Sequence, residues 1–168
     1  ANPTSVSETI NINSFFPMEI QKYSVINNSR YYQIGTDCVY SGTDGNYNEG
    51  DYLDAEDLYG KSKIVGELPA RNKHIIRSSI IGPEHGTGRS LLNWFLKNES
   101  TEVSGFKNHL WNGVTTLNFA KVIHGLILNQ NYSTGLQHLI TSDKVTKADL
   151  LHFFKIYFVK EVNINEVN

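Results

Sequence analysis

The stretch GTDCVYSGTDGNYNEGDYLDAEDLYGKSK, residues 35–63, decides the fold of this chain. A short aromatic run, RYYQIG at residues 30–35, precedes it and is typical of a strand. Thr36 and Asp37 are therefore expected at the carboxyl end of that strand. Residues 41–57 are rich in glycine, aspartate and asparagine, which predicts a loop.

Tyr59 and Lys63 follow this loop, four residues apart on a predicted helix, so their side chains are expected on one face. A phenol with a pKa near ~10 is a poor proton donor or acceptor at neutral pH, and a nearby ammonium lowers that pKa. The pair predicts a Tyr59 that gives a proton to a carbonyl oxygen, which Thr36 also holds by a hydrogen bond. The spacing alone is a weak signal, and the order of strand, Thr-Asp, loop and helix gives it weight.

Strands and helices alternate along the rest of the chain, which predicts an α/β fold with a parallel sheet. A helix is predicted over residues 8–27, with Pro17 at a kink or in an early turn. Residues 74–81 predict one strand, and the helix that starts near Tyr59 is predicted to end near Pro69. Further helices are predicted at RSLLNWFLKN, at TLNFAKVIHGLILNQ and after the capping box of Thr146 and Asp149, with a strand or turn at TEVSGF and a strand at GLQHLI.

Composition excludes several classes of protein. A formal net charge of -2 and a pI near 6.3 argue against a nucleic-acid partner, and the absence of a basic run argues against a membrane-surface partner. The single cysteine, Cys38, excludes an internal disulfide and fits a reducing compartment. No apolar stretch reaches the ~20 residues of a membrane span. A cytoplasmic protein is expected.

Dinucleotide-binding chains of this class carry a G-x-G-x-x-G turn after their first strand, and this sequence has none. The nearest glycine cluster, GPEHGTG at residues 82–88, has neither that spacing nor the ending of a P-loop, and is predicted to be an ordinary loop. No histidines have His-x-x-x-His spacing, and the acidic loop does not fit the EF-hand pattern. No metal site is predicted.

Five motifs together resemble the extended short-chain dehydrogenase/reductase superfamily, and more narrowly its dTDP-4-dehydrorhamnose reductase-like branch. They are TDCVYSG (36–42), YGKSK (59–63), IRSSIIGPE (76–84), WNGVTT (111–116) and NINSFFP (11–17). The resemblance implies a Rossmann-like parallel sheet with helices on both faces plus a small substrate-binding part. It covers the later part of the family's fold, and the family's N-terminal βαβ region has no counterpart.

The resemblance also implies that the two halves of the chain have different roles. Residues 1–82 would be the C-terminal part of the Rossmann-like domain, with the catalytic motifs. Residues 83–168 would be mainly substrate-binding, with a strand and a helix that return to the main sheet. Because the family's first strands are missing, one edge of the sheet is expected to be exposed.

Site residues follow from the resemblance, position by position. Tyr59 would be the proton donor, Lys63 its tuner and a ligand of the cofactor ribose, and Thr36 the partner of the carbonyl oxygen. Ser79 and Ile80 match positions near the nicotinamide. Residues matched to the substrate side are Asn13, Asp37, Trp111, Asn112, Gly113 and Thr115, the last two in a Gly-x-x-Thr loop.

Two of these assignments keep an alternative. Trp111 before Asn112-Gly113 is also typical of a buried hairpin turn. Asp37 either helps in proton delivery or fixes the loop.

The implied function is that of a fragment of an NAD(P)H-dependent reductase of a nucleotide-activated keto-deoxysugar, in cell-surface polysaccharide biosynthesis. NADP or NAD would be the cofactor, a nucleotide-sugar the substrate, and a homo-oligomer a possible assembly. Two alternatives stay open, a non-catalytic binding or regulatory module of the same fold and a sugar-nucleotide epimerase. Cys38 lies where a dehydratase would carry glutamate, which counts against a dehydratase.

Overall fold

The computed structural model describes residues 5–85, 90–130 and 132–168. The end of the glycine cluster, residues 86–88, lies outside these ranges. The chain divides into two compact units, the first made of Ala1–Ser79 with Lys121–Leu139 and the second of Ile80–Ala120 with Ile140–Asn168. The roles expected of the two sequence halves stay predictions. Within the described ranges, no helix has the length and apolar character of a membrane span.

Helices and short strands alternate as the periodicity predicts. In chain order they are α1 (Val6–Ile10), a π-helical turn (Asn11–Phe15), α2 (Phe16–Ile26), β1 (Tyr31–Ile34), a 3-10 turn (Asp37–Val39), α3 (Leu58–Gly66), β2 (Lys73–Arg77), β3 (Ile80–Ile81), α4 (Leu91–Lys97), β4 (Glu102–Phe106), β5 (Leu110–Trp111), β6 (Val114–Thr115), α5 (Thr116–Leu128), β7 (Gly135–His138), β8 (Val145–Thr146), α6 (Lys147–Tyr157) and β9 (Asn163–Val167).

The first unit is built on a three-stranded parallel sheet in the order β1-β2-β7. All five residues of β2 are buried, as expected of a central strand in a parallel sheet. Among the described residues β1 pairs with β2 alone, so its other edge is open. The α/β fold with a parallel sheet and the exposed sheet edge are both confirmed.

One continuous helical run precedes β1 and contains a π-helical turn that the sequence did not predict. The Ser5 hydroxyl caps its start by accepting a hydrogen bond from the Glu8 amide at 3.1 Å. Pro17 lies in the first turn of α2, so the early-turn alternative for this proline is correct. The buried residues of the π turn are Asn13 and Ser14, which are adjacent in sequence.

Two predicted elements have other bounds in the structure. The strand predicted over residues 74–81 is interrupted, because β2 ends at Arg77 and β3 pairs with β6 in the second unit. At the break, the Ser78 hydroxyl donates to the Leu139 carbonyl at 2.7 Å. The helix predicted to run to Pro69 ends at Gly66.

The second unit has its own core and contains a strand that the sequence did not predict. β9 has the polar sequence NINEV and pairs in parallel with β4, because Ile164 reaches the core. The capping box of α6 is confirmed, with the Asp149 amide donating to Thr146 Oγ1 at 3.0 Å and the Thr146 amide to Asp149 Oδ2 at 2.7 Å. The core residues are Phe95, Val103, Leu151, Val162 and Ile164.

A buried lysine connects the end of α3 to the sheet. Lys73 is 1% exposed, and its Nζ donates to the carbonyls of Gly66 (3.0 Å) and Leu68 (2.9 Å) and to the side chain of Gln21 (3.3 Å). Burial lowers the pKa of Lys73 to about 8, and the charge of Glu67 opposes that shift. These bonds satisfy helix-end carbonyls that have no partner within the helix.

Lys73 predicts an alkaline rise in stability. Below pH 8 the lysine is protonated in both states; between about pH 8 and 10 the unfolded chain binds more protons, so the free energy of unfolding increases with pH. We expect a gain of roughly 2 kcal/mol from about pH 7 to about pH 9.5, measured by urea unfolding. In Lys73→Met the gain should be clearly smaller, with a remainder from Lys63, whose pKa is also lowered, and equal gains in both proteins would contradict the assignment.

Candidate active site

The turn that follows β1 carries the first of the predicted catalytic side chains. The Gly35 amide donates to the Ile76 carbonyl at 2.8 Å, which keeps the chain in line with the sheet to the end of β1. Thr36 is buried and caps the 3-10 turn, its hydroxyl accepting from the Cys38 amide at 3.2 Å. Asp37 and Cys38 are exposed. Thr36 thus lies beyond the carboxyl end of a parallel strand, where ligands bind in open α/β sheets.

Helix α3 brings two further side chains to the same place. Asp57 caps the helix by accepting from the Gly60 amide at 2.8 Å. Lys63 follows Tyr59 by one turn, with its Nζ 5.7 Å from the centre of the Tyr59 ring. The Thr36 hydroxyl lowers the pKa of the Tyr59 hydroxyl, so the two side chains lie near each other. The structure therefore brings the three predicted catalytic residues together within one unit, while their roles stay predictions.

Gly60 explains why α3 and the turn approach so closely. A Cβ added at Gly60 would overlap the Cys38 carbonyl oxygen and lie 2.5 Å from the Ala55 Cβ. Any other residue at this position would push α3 away from the turn that holds Thr36. The glycine of the YGKSK motif is thus a requirement of packing next to Tyr59.

We expect Gly60→Ala to lower the free energy of unfolding by about 1–3 kcal/mol, as overpacking does, and to separate Tyr59 from Thr36. Urea unfolding measures the first effect. The matched control is Gly125→Ala, because an added Cβ at Gly125 meets nothing within 4 Å and helical alanine is favoured by about 0.5–1 kcal/mol. Equal effects of the two substitutions would contradict the packing argument.

The electrostatics of Tyr59 differ from the expectation. Its pKa is raised, first by burial and then by Cys38, Asp37 and Asp57, while the hydrogen bond from Thr36 opposes the shift. The net direction is opposite to the lowering expected from Lys63, because burial and acidic neighbours dominate. The Tyr59 hydroxyl consequently stays protonated at neutral pH, which is the state that can donate a proton. The role of Lys63 towards Tyr59 stays a prediction.

Lys63 has unused hydrogen-bonding capacity. Its side chain is half-buried. Burial lowers the pKa of Lys63, and the charges of Glu67 and then Cys38 oppose that shift only in part. Among the described residues no acceptor lies within hydrogen-bond distance of its Nζ. An ammonium with free donors beside Tyr59 fits the hydroxyl groups of a ribose, so the residues present are compatible with the sugar next to a nicotinamide.

Asn13 lies behind α3. Its Nδ2 donates to the Ser62 hydroxyl at 3.0 Å, and that hydroxyl donates to the Tyr59 carbonyl at 2.8 Å. Ser14 also binds the helix, donating from its hydroxyl to the Ser62 carbonyl at 2.7 Å. With Asn13 only 8% exposed, the observed contacts support the backbone at Tyr59. A contact between Asn13 and substrate stays a prediction.

Three other predicted site residues lie next to β1 and β2 in the sequence. Asp37 is exposed and accepts from the Thr36 hydroxyl at 3.4 Å. Ser79 is half-buried after β2, in the first unit, and Ile80 opens β3 in the second unit with 36% of its surface exposed. Contacts of these residues with a cofactor or substrate stay predictions.

The substrate-side motif WNGVTT belongs to the second unit. Trp111 pairs antiparallel with Val145 through β5 and β8, so the hairpin alternative is wrong. The Asn112 carbonyl accepts from the amide of Thr141 at 2.8 Å and from its hydroxyl at 3.1 Å. The Trp111 indole nitrogen is buried without a hydrogen-bond partner in the described parts of the chain. Gly113 is buried.

Thr115 has a local structural role. Its hydroxyl accepts from the Asn118 amide at 3.1 Å, which satisfies one amide in the first turn of α5. Counted from Gly113, a Gly-x-x-Thr spacing ends at Thr116 rather than Thr115. The Thr116 side chain lies against Gly82, where an added Cβ would overlap it. Thr116 is therefore the residue at the matched spacing.

Sequence reasoning missed a buried polar network next to the catalytic turn. Arg77 donates from Nε to Glu67 at 2.8 Å and from its guanidinium to the Tyr40 hydroxyl at 2.7 Å. The Tyr40 hydroxyl also contacts His138 Nε2 at 3.1 Å and the Asn48 carbonyl at 2.9 Å. Charged residues inside the apolar runs IVGEL and HIIRSS were the available signal. Among the described residues, no group of three or more His, Cys, Asp or Glu is placed to hold a metal.

Comparisons with known proteins show the fold. No protein-family model and no curated protein matches the chain. A dTDP-4-dehydrorhamnose reductase from Clostridium acetobutylicum superposes with a TM-score of 0.80 at 20% identity, over 95% of this chain and 57% of that one. The Bacillus anthracis dTDP-4-dehydrorhamnose reductase in complex with NADP gives 0.77 at 21%, over 93% and 57%. A UDP-N-acetylglucosamine 4-epimerase from Methanobrevibacter ruminantium gives 0.75 at 14%, over 100% and 62%.

The structural likeness confirms the Rossmann-like fold that the motifs predicted. The chain spans 57 to 62% of the length of these three solved chains, so it corresponds to part of each.

Proposed function

We propose that this chain carries the catalytic motifs of an NAD(P)H-dependent reductase, which reduces the keto group of a nucleotide-activated deoxysugar for cell-surface polysaccharide biosynthesis. The observation that carries the proposal is the group formed by Thr36, Tyr59 and Lys63 at the carboxyl end of β1. Two neighbouring hydroxyls, beside an ammonium with free donors, suit a carbonyl oxygen and a ribose.

In the proposed reaction the substrate carbonyl oxygen lies at the Tyr59 and Thr36 hydroxyls. A bound nicotinamide cofactor supplies the hydride that the carbonyl carbon accepts. Tyr59 gives its phenolic proton to the oxygen, so the ketone becomes an alcohol and the phenolate is reprotonated from solvent. Thr36 holds the oxygen in line, and Lys63 stabilises the phenolate while it lasts.

Tyr59 and Lys63 would hold the nicotinamide ribose, with Ser79 and Ile80 near the ring. The sequence contains no glycine-rich turn for the pyrophosphate, so that part of the cofactor site would come from residues outside these 168. The NADP found in the Bacillus anthracis structure supports the same cofactor class for this chain.

A fluorescence titration with NADPH and with NADH tests the proposal, with Tyr59→Phe as a matched variant for fold and binding. Saturable binding followed by reduction of a dTDP-keto-sugar is the expected result for the protein that contains this chain. Binding without turnover would favour a regulatory module of the same fold. A folded protein that binds neither cofactor would overturn the proposed function.

An epimerase is the second candidate, supported by the fold shared with the UDP-N-acetylglucosamine 4-epimerase. An epimerase of this kind would begin by oxidising a sugar alcohol, which needs a phenolate to accept the proton. The raised pKa of Tyr59 favours the protonated phenol and therefore reduction. Product analysis by NMR after incubation with a UDP-sugar and NAD distinguishes the two reactions.

A further inference from the structure

Glu67 is a buried carboxylate with one oxygen unused. Its side chain is 2% exposed, and its Oε2 accepts from Arg77 Nε at 2.8 Å. The other oxygen, Oε1, is buried and receives no hydrogen bond from the residues that the structure describes. Buried carboxylate oxygens are costly without a compensating partner or charge, so this oxygen calls for an explanation.

The position of Glu67 connects it to the candidate active site. Tyr59, Lys63 and Glu67 are spaced by four residues along α3 and its last turn, which puts them on one side of the helix. A Cβ added at Gly35 would lie 2.7 Å from Glu67 Oε1, so this oxygen lies against the residue that directly precedes Thr36. The free carboxylate oxygen is therefore next to the catalytic turn.

The charges around Glu67 do not balance locally. Three cations act on its carboxylate, Arg77 and Lys73 from β2 and Lys63 from its own helix. Arg77 is in direct contact, and Lys73 has three acceptors of its own. Lys63 has none among the described residues, and no ion pair joins it to Glu67. Of the groups that favour the charged form of Lys63, Glu67 contributes most, followed by Cys38.

We propose that Glu67 acts on Tyr59 through Lys63: its carboxylate, fixed by Arg77 four residues after Lys63 on the same side of α3, keeps the Lys63 ammonium charged beside Tyr59. This inference rests on the proposed function for its purpose, because a reductase of this kind needs a charged Lys63 to bind ribose and to stabilise the phenolate. Arg77 fixes the carboxylate in place and leaves Oε1 facing the catalytic turn. Burial favours the neutral form of Lys63, and the charge of Glu67 opposes this.

The test measures the titration of individual lysines by NMR, using protein labelled with ¹³C at lysine Cε. The Lys63 signal is assigned by its loss in Lys63→Arg. In Glu67→Gln, which keeps the size of the side chain and removes its charge, we expect the Lys63 midpoint to move to lower pH. Lys61 is exposed on the same helix, and its signal serves as the internal control.

The direction of the shift separates the proposal from simple damage to the fold. Unfolding would move the Lys63 midpoint upwards, to that of an unperturbed lysine, which is the opposite of the expected change. Glu67→Asp keeps the charge and should restore the midpoint most of the way. An unchanged midpoint in a folded Glu67→Gln protein would overturn the inference. The NMR titration needs no turnover, so its result is independent of whether the protein is a reductase. The cofactor titration tests the reductase assignment.

Discussion

Replacing Tyr59 with phenylalanine should reduce turnover of a keto-sugar nucleotide by about 10²–10⁴-fold, the range that a positioned proton donor contributes. Only the hydroxyl is removed, so the packing of the ring against Lys63 and the fold should persist. The loss should appear in kcat rather than in cofactor affinity, because the proton moves during the chemical step. The measurement is the oxidation of NADPH by the protein that contains this chain, with the unaltered protein run in parallel.

The dependence on pH gives this prediction a second readout. Since the pKa of Tyr59 is raised, ionisation of the phenol should lower the rate of reduction only above the pH range of an ordinary tyrosine, and a fall at lower pH would report the loss of the Lys63 proton. Turnover of Tyr59→Phe within threefold of the unaltered protein, with a folded spectrum, would remove Tyr59 from the proposed mechanism.

Replacing Arg77 with methionine should lower the free energy of unfolding by about 3–5 kcal/mol, the cost of removing one partner of a buried ion pair. Both side chains of the pair are almost fully buried, at 5% and 2% exposed, so no solvent can replace the lost guanidinium. Glu67 would keep a buried charge with Lys63 and Lys73 at a greater distance, and Tyr40 would lose its hydrogen-bond donor. Urea unfolding followed by circular dichroism measures the change.

Two controls make the Arg77 result specific to the buried charge. The double variant Arg77→Met with Glu67→Leu removes both charges and should recover a substantial part of the stability, because apolar replacements of buried pairs are often tolerated. Lys22→Met removes a partner of the exposed pair with Glu19 and should cost no more than about 1 kcal/mol. A cost for Arg77→Met no larger than that for Lys22→Met would show that the buried pair contributes little.

The sequence predicted the parts of the fold that depend on local patterns. Alternating apolar residues and turn formers locate β1 and α5, and the capping box locates α6, because these signals act within a few residues. β9 was not predicted, because its sequence, NINEV, is mostly polar and forms a strand only through its long-range pairing with β4. The interruption of the strand after Arg77 was not predicted for the same reason, since β3 is defined by its pairing with β6.

The candidate site also has parts that the sequence predicts and parts that only the structure shows. The spacing of Tyr59 and Lys63 on a helix can be read from the sequence, and the structure brings both to Thr36. The partners of Glu67 and the position of its free oxygen depend on how α3 packs against β2 and the turn, which no spacing encodes. The direction of the Tyr59 pKa was mispredicted because the sequence shows the nearby lysine but not the burial that outweighs it.

The π-helical turn at Asn11–Phe15 makes this helix sensitive to chain length. A π turn closes hydrogen bonds over five residues instead of four and so holds one residue more than the α-helix around it. That extra residue lets two consecutive side chains, Asn13 and Ser14, both reach Ser62. Deleting one residue here would turn the π turn into an ordinary α-helical turn, and Asn13 and Ser14 could then no longer both face Ser62. We therefore expect a helix shortened by one residue here to lose part of its hydrogen bonding to Ser62, and with it part of the support for the Tyr59 backbone.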